Sequence, residues 1–253
     1  MDRVALITGA SSAIGAAAAR AFANAGYAVA LASRRRSSLD ALAESIASDG
    51  QRALAIETDV TNGASVEAMV NRTVEELGRL DVAFNNAGSG APPTPLGDIA
   101  PEVFSQALGV NVTGTFLSMR AEIRAMLLHA GGAIVNMSST AGLQGVAGLS
   151  PYCAGKHAIV GMSKAAALDY ADKNIRVNVV APGPIASERI DPEQRDRVGR
   201  FVPIKRIGTP DEVASLVRWL CSPESGYVTG SVIVIDGGRL AGTPSFAVAG
   251  NKP

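Results

Sequence analysis

Two side chains past the middle of the chain could exchange protons with a reacting group: Tyr152 and Lys156, in the stretch STAGLQGVAGLSPYCAGK from Ser139 to Lys156. The residues that follow, HAIVGMSKAAALDYA, repeat apolar side chains at helical spacing. A tyrosine and a lysine four apart on a helix share one face, with Cβ atoms about 5–6 Å apart. A phenol titrates near ~10, so unaided it is a poor acid or base at neutral pH. An ammonium about 4 Å away, in an effective dielectric of about 20, favours the phenolate by about 4 kcal/mol. With desolvation set aside, that moves the phenol several units towards neutrality, because about 1.4 kcal/mol is one pKa unit. The same spacing also describes a solvated helix face. The pair gains meaning from what surrounds it.

The surroundings alternate strand and helix from the first residues. Val4-Ala5-Leu6-Ile7 reads as a buried parallel strand. The turn Gly9-Ala10-Ser11-Ser12-Ala13-Ile14-Gly15 follows and opens an Ala-rich helix. Small residues between a strand and a helix start let backbone N–H groups approach a pyrophosphate, although such a turn can also be only a turn. The second strand, Ala28 to Ala32, ends in Ser33-Arg34-Arg35-Arg36 with no acid. In dinucleotide folds an acid at this place bonds a ribose 2′-OH and an arginine accommodates a 2′-phosphate. The run therefore favours NADP(H) over NAD(H), with Arg34 as the first candidate. The competing reading is a solvated helix start.

A helix over Ser37–Asp49, a strand at Ala53–Ile56 followed by Asp59-Val60, a helix over Val66–Leu77 and a strand at Asp81–Phe84 come next. The turn Asn85-Asn86-Ala87-Gly88 lies at the end of that fourth strand. Asparagines there either satisfy local backbone groups or face the crevice where open α/β sheets bind ligands. One long helix is expected from about Pro101 to Ala130, with the polar Asn111 inside it. The fifth strand, Gly132–Met137, delivers Ser138 and Ser139 ahead of the tyrosine helix. A sixth strand, Arg176–Ala181, closes with Pro182-Gly183-Pro184. Residues 185–206 hold six basic and four acidic side chains and read as a lid-type loop. A helix over Pro210–Cys221 and a seventh strand, Ser231–Asp236, follow, with a weakly structured tail from about 239. The simplest arrangement is one α/β domain over 1–253, a doubly wound, mostly parallel seven-stranded sheet with helices on both faces.

Composition narrows the function classes. Of 253 residues, 23 are basic and 23 acidic, so nothing in the charge argues for nucleic acid or an anionic membrane. Arg20 interrupts the most apolar window, which argues against a membrane span. Two separated cysteines and two histidines give no metal or redox motif, so no protein-bound metal is expected. The N-terminal segment runs straight into a strand without a signal-type core, and a cytoplasmic location is expected.

Thr8-Gly9 through Gly15, Asp59, Asn85-Asn86-Ala87-Gly88, Asn111, Ser139, Tyr152, Lys156 and Pro182-Gly183 together resemble the short-chain dehydrogenase/reductase family over nearly the whole chain. The resemblance implies a Rossmann-type domain that binds NAD(P) and an active site of Asn111, Ser139, Tyr152 and Lys156. It makes Tyr152 the general acid or base. Lys156 would lower its pKa and bond the nicotinamide ribose. Ser139, rather than its rival Ser138, would hold the substrate oxygen, and Asn111 would support a water leading from Lys156 to solvent. Gly9, Ser11, Ser12 and Ile14 would hold the pyrophosphate end, Ser33 and Arg34 the adenosine ribose, and Asp59 and Val60 the adenine. Asn86, Ala87 and Gly88 would run beside the cofactor. Pro182, Gly183, Ile185 and Ser187 would meet the nicotinamide side, Ile185 through its backbone. A homotetramer is implied as well.

Three positions depart from the family pattern. Ala13 stands where a second glycine is common, and its methyl is expected to press towards the pyrophosphate. Ser187 replaces a common threonine with an equivalent hydroxyl. Lys205 stands where a glycine often precedes Arg206. The expected substrate lining is Gly90, Ala91, Pro92, Leu143, Gln144, Val146, Leu149 and Pro184, compact and fairly apolar. It suits a small or medium cyclic or aliphatic carbonyl, unless Arg189, Arg195 or Arg200 turns inward. The function expected is an NADP(H)-dependent oxidoreductase of secondary alcohols and ketones. The alternatives are an NAD(H)-preferring dehydrogenase of a cyclic alcohol or diol, a silent cofactor-binding sensor, and a dehydratase or epimerase with no net redox change.

Overall fold

The computed structural model describes residues 3–90, 92–187 and 190–242. Seven parallel strands form one sheet: β1 (Val4–Thr8), β2 (Ala28–Ser33), β3 (Ala53–Glu57), β4 (Val82–Asn85), β5 (Gly132–Met137), β6 (Ile175–Pro182) and β7 (Val232–Ile235). They lie in the order β3-β2-β1-β4-β5-β6-β7. The chain returns from β3 over β2 and β1 to lay β4 against the far side of β1, pairing Thr8 with Asn85. That reversal opens a crevice at the carboxyl ends of β1 and β4, where sheets of this kind bind ligands.

The alternating side chains of β1 build two cores. Ala5 and Ile7 face one cluster with Phe22 of α1 (Ala13–Asn24), Leu39 of α2 (Arg36–Ser48) and Val213 and Val217 of α8 (Pro210–Leu220). Val4 and Leu6 face the other, with Met69 of α3 (Gly63–Leu77), Met126 of α5 (Gly114–Leu127) and Ala167 of α6 (Ser150–Tyr170). Period-two strands buried on both faces give the near-continuous apolar runs seen in the sequence. The small side chains of α1 let α8 pack closely against it.

The expected helix from Pro101 to Ala130 is not continuous. It is α4 (Pro101–Leu108), one wide turn over Gly109–Thr113, and α5. In that turn the Gly114 N–H reaches back to the Gly109 carbonyl, five residues earlier, the bond pattern of a π-type bulge. The Asn111 Nδ2 donates to Ala107 O at 2.9 Å and Ser89 O at 2.8 Å, and Thr115 Oγ1 donates to Asn111 O at 2.8 Å. These side-chain bonds compete with regular winding. The 185–206 segment also holds a helix, α7 (Pro192–Gly199), capped by the Asp191 side chain on the Gln194 N–H. The tail expected from about 239 falls largely outside the described residues.

Candidate active site

β5 and α6 bring the chemistry together. Ser139 is extended, its Oγ accepting from the Ala141 N–H at 3.2 Å, and the same hydroxyl lies close enough to the Tyr152 phenol to act on its proton affinity. Ser138 is occupied otherwise: its buried Oγ donates to the Lys156 carbonyl at 2.9 Å and joins the strand end to the helix. Lys156 is 2% exposed, and its Nζ donates to Met137 O at 2.9 Å while standing 5.6 Å from the centre of the Tyr152 ring.

Desolvation, set aside in the sequence estimate, sets the direction of the phenol's shift. Burial holds Tyr152 above the usual range, outweighing the Ser139 hydrogen bond that lowers it. Burial also brings Lys156 down to about 8. The one-turn spacing holds, but the amine is turned to a backbone carbonyl, and desolvation is the largest cause for both groups. The phenol is thus held as an acid with a proton to give.

Asn111 is fully buried, and its Oδ1 has no partner among the described residues. A Cβ added to Gly88 would sit 3.0 Å from Asn111 Oδ1 and 3.2 Å from Lys156 Nζ. An unpaired acceptor and an ammonium therefore converge on the bare face of Gly88. A buried acceptor so placed can hold a water or a hydroxyl group.

A cleft continues from Gly88. Ala87 and Asn86 line one wall, with Gly9, Ser11 and Ser12 from the turn after β1. Ser33, Arg34 and Arg35 after β2 complete it with Thr58, Asp59 and Val60 after β3. Asn86 Nδ2 donates to Thr8 O, Gly9 O and Ser12 Oγ at 3.0–3.1 Å, locking the β1–α1 turn to the end of β4. Gly9 has φ +64°, and a Cβ on it would come 2.8 Å from Asn86 Nδ2. Ser12 caps α1 by accepting from the Gly15 N–H at 3.1 Å. Uncovered backbone N–H groups at a helix start suit a phosphate group, and the cleft fits a dinucleotide. The Asp59 carboxyl is lowered from its ordinary value, first through its bonds from Thr61, with Arg34 contributing.

Ten of the expected cofactor residues share this cleft: Gly9, Ser11, Ser12, Ser33, Arg34, Asp59, Val60, Asn86, Ala87 and Gly88. Ile14 packs against the core at the start of α1 instead. Pro182, Gly183, Ile185 and Ser187 lie at the end of β6, beyond its lining. There Gly208 N–H donates to Pro184 O and Ala186 N–H to Gly208 O, each at 2.9 Å, which leaves the Ile185 peptide groups turned the other way. Sequence reasoning missed Arg35, Thr58 and Val110 in the cleft. Arg35 was signalled only as a neighbour of Arg34. Ala13 is the first residue of α1 and is not part of the cleft lining.

The expected substrate lining divides. Pro92, Leu149 and Tyr152 border a small apolar cavity with Ile99 and Val103, which the sequence reading did not include. Pro184 borders a second cavity with Arg197, Phe201 and Arg239. Gln144 is half-buried, its N–H bonded to Thr140 O. Arg195 is no inward cation: its guanidinium donates to Ile190 O at 2.8 Å and Ser187 O at 3.0 Å, bracing its own segment. Arg200 is exposed, and Ala91 and Arg189 lie outside the described residues. Lys205 has φ +64°, the left-handed conformation that explains a glycine at that position.

A family model described as enoyl-(acyl carrier protein) reductase matches residues 9–239. The chain is 43% identical to the A-factor type gamma-butyrolactone 1′-reductase (1S-forming) of Streptomyces virginiae, covering 94% of this chain and 95% of that one. It is 38% identical to the cyclohexanol dehydrogenase of an Acinetobacter species, over 93% and 94% of the two chains. The crystal structure of a short-chain type dehydrogenase/reductase from Mycobacterium marinum superposes with a TM-score of 0.90 at 39% identity, covering 95% of this chain and 96% of that one. The resemblance carried by the sequence motifs is borne out: the chain belongs to the short-chain dehydrogenase/reductase family, as an oxidoreductase acting on CH–OH groups.

Proposed function

We propose that the protein is an NADP(H)-dependent oxidoreductase that interconverts a secondary alcohol and a ketone. The observation that carries this is the meeting of Ser139, Tyr152 and Lys156 with the unpaired Asn111 Oδ1 at the end of the cleft. Named relatives act on related chemistry: a butyrolactone 1′-reductase, a cyclohexanol dehydrogenase and a cis-4-hydroxycyclohexanecarboxylate dehydrogenase.

In this reading the β1–α1 turn holds the pyrophosphate, Asp59 and Val60 border the adenine, and Lys156 bonds the nicotinamide ribose. When bound, the nicotinamide supplies or accepts hydride. Ser139 and Tyr152 aim hydroxyl groups at the substrate oxygen, where they stabilise developing negative charge more in the transition state than before it. Tyr152, held protonated by burial, gives its proton to that oxygen in reduction; in the reverse direction only its phenolate form can take one. Asn111 and Lys156 share the relay beyond it. Arg34 and Arg35 beside Ser11 and Ser33 support a 2′-phosphate. The apolar side chains beside Tyr152 (Pro92, Ile99, Val103 and Leu149) favour a cyclic or aliphatic carbonyl, and we propose the 185–206 segment as a lid.

The decisive experiment follows NADPH absorbance across a panel of cyclic ketones with Tyr152→Phe as control. Loss of turnover by about 10²–10⁴-fold with nucleotide binding intact is expected. Unimpaired turnover in that variant would remove Tyr152 from the mechanism. We also propose a cytoplasmic homotetramer of one-domain chains; exposed Phe116 on α5 and Leu168 on α6 support self-association. A light-scattering mass tests it.

A further inference from the structure

Glu122 lies on α5, a helix with solvent on its far side, yet it is fully buried. Its Oε2 accepts from Asn85 Nδ2 at 2.8 Å. The other hydrogen of that amide goes to Asn136 Oδ1 at 3.0 Å, and Asn136 Nδ2 donates to Ser163 Oγ at 2.8 Å. Ser163 Oγ donates in turn to Ile159 O at 2.6 Å. Every donor in this row is used. Two buried acceptors are left without one: Glu122 Oε1 and Asn85 Oδ1. They belong to the two partners of the same 2.8 Å bond.

A carboxylate brings no hydrogen to that pair, whereas a carboxylic acid brings the one that is missing. An acid and a carboxamide each offer a donor and an acceptor on one edge, so a single proton closes a second bond and satisfies both orphans. We propose that Glu122 is a neutral acid at physiological pH, joined to Asn85 by two hydrogen bonds, and that this pairing is a positioning device for the cofactor cleft. Asn85 is the last residue of β4, and the next three, Asn86, Ala87 and Gly88, line the cleft. This second half rests on the dinucleotide reading above.

The surroundings agree. Burial is the largest cause acting on Glu122 and pushes it up to about 8, against a lowering by Asn85. β4 and β5 contribute no ionisable side chain. The charged and titratable groups on the helices around it include Glu67, Arg72, Glu75 and Glu76 on α3, Arg120 and Arg124 on α5 itself, and Lys156, His157, Lys164 and Asp169 on α6. None of them enters its titration. Arg120 and Arg124 are paired with Glu67 at the surface. Above about 8 the proton leaves. Both orphaned oxygens are then without a hydrogen, and the end of β4 loosens.

The test joins infrared spectroscopy to nucleotide titration. Wild-type protein at pH 7 should show the carbonyl stretch of an un-ionised carboxyl group that Glu122→Gln lacks, and the band should vanish as pH rises through about 8. The glutamine amide supplies the same donor, so Glu122→Gln should fold and bind NADPH or NADH as wild type does at pH 7. Lys156 titrates in the same range in both proteins, so the ratio of their dissociation constants isolates Glu122. That ratio should stay near one at pH 7 and move several-fold against wild type at alkaline pH. Absence of the band at pH 7, or a Glu122→Gln protein that does not fold, would overturn the neutral acid. A ratio that stays flat would overturn the positioning role. If neither protein binds either nucleotide, the cofactor reading fails, while the band still decides the protonation state.

Discussion

Arg35 Nη2 donates to the Ser11 carbonyl at 2.6 Å and lies 3.2 Å from its hydroxyl, tying the end of β2 to the turn after β1. This bond holds a guanidinium at the rim of the cleft beside Ser33 and Arg34. A charge-assisted bond to a phosphate oxygen is worth about 1.5–3 kcal/mol. Arg35→Ala and Arg34→Ala should each lower kcat/KM for NADPH by about ten- to a hundredfold and leave NADH nearly unchanged. Steady-state kinetics with both nucleotides checks this, and an equal loss with NADH would remove the 2′-phosphate argument.

Gly88 gives a second prediction. A methyl there would stand 3.0 Å from Asn111 Oδ1 and 3.2 Å from Lys156 Nζ, crowding the point where the two converge. Displacing reacting groups by about 1 Å can cost about a hundredfold in rate. Gly88→Ala should lower kcat/KM by that order while the thermal midpoint stays close to that of the parent. A variant as active as the parent would show that the convergence is not used.

Lys156 trades stability for chemistry. Its ammonium gives up its proton at about 8 in the fold, against the usual 10.5. The native chain therefore binds fewer protons than the unfolded chain between those values, and stability rises with pH across that window. Below it the buried charge is a net cost. Lys156→Met should be more stable at pH 7 by about 1–3 kcal/mol and catalytically dead. Urea denaturation at pH 7 and pH 10 tests the sign: the advantage of the variant should shrink at the higher pH.

Lys205 is strained where its neighbours are not. Its φ of +64° disfavours any side chain with a Cβ, and the residue is exposed, so little packing compensates. Lys205→Gly should stabilise by about 0.5–1 kcal/mol, because relief of strain exceeds the added freedom of the unfolded chain. Calorimetry should record a rise of about 2 °C. A fall would mean that the Lys205 Nζ bond to Arg200 O, at 3.3 Å, matters more than the backbone.

The sheet was legible because each strand is a short apolar run ended by small residues, as in Val4–Thr8 and Gly132–Met137. The shared helix face of Tyr152 and Lys156 followed from their spacing, and its meaning from the motifs around them. What escaped was whatever depends on burial or on a local break in periodicity. Spacing says nothing of the solvent that Tyr152 loses, and that loss is the largest cause acting on its proton. Val110 and Val112 flank Asn111 much as in any helix, and no pattern there announces a widened turn. Glu122, between Ala121 and Ile123, reads like one more surface charge. Only the meeting of α5 with the ends of β4 and β5 reveals it as interior.

The widened turn at Gly109–Thr113 amounts to a surplus residue wound into a cylinder that would run smoothly without it. Excising one residue there would restore even winding from Pro101 to Leu127. It would also swing the carboxamide of residue 111 by about 100° around the helix axis. The tidier rod would point its amide away from the lysine and the glycine it now serves. Here irregularity is the aiming mechanism, and a sequence edited for helical perfection would fold well and do nothing.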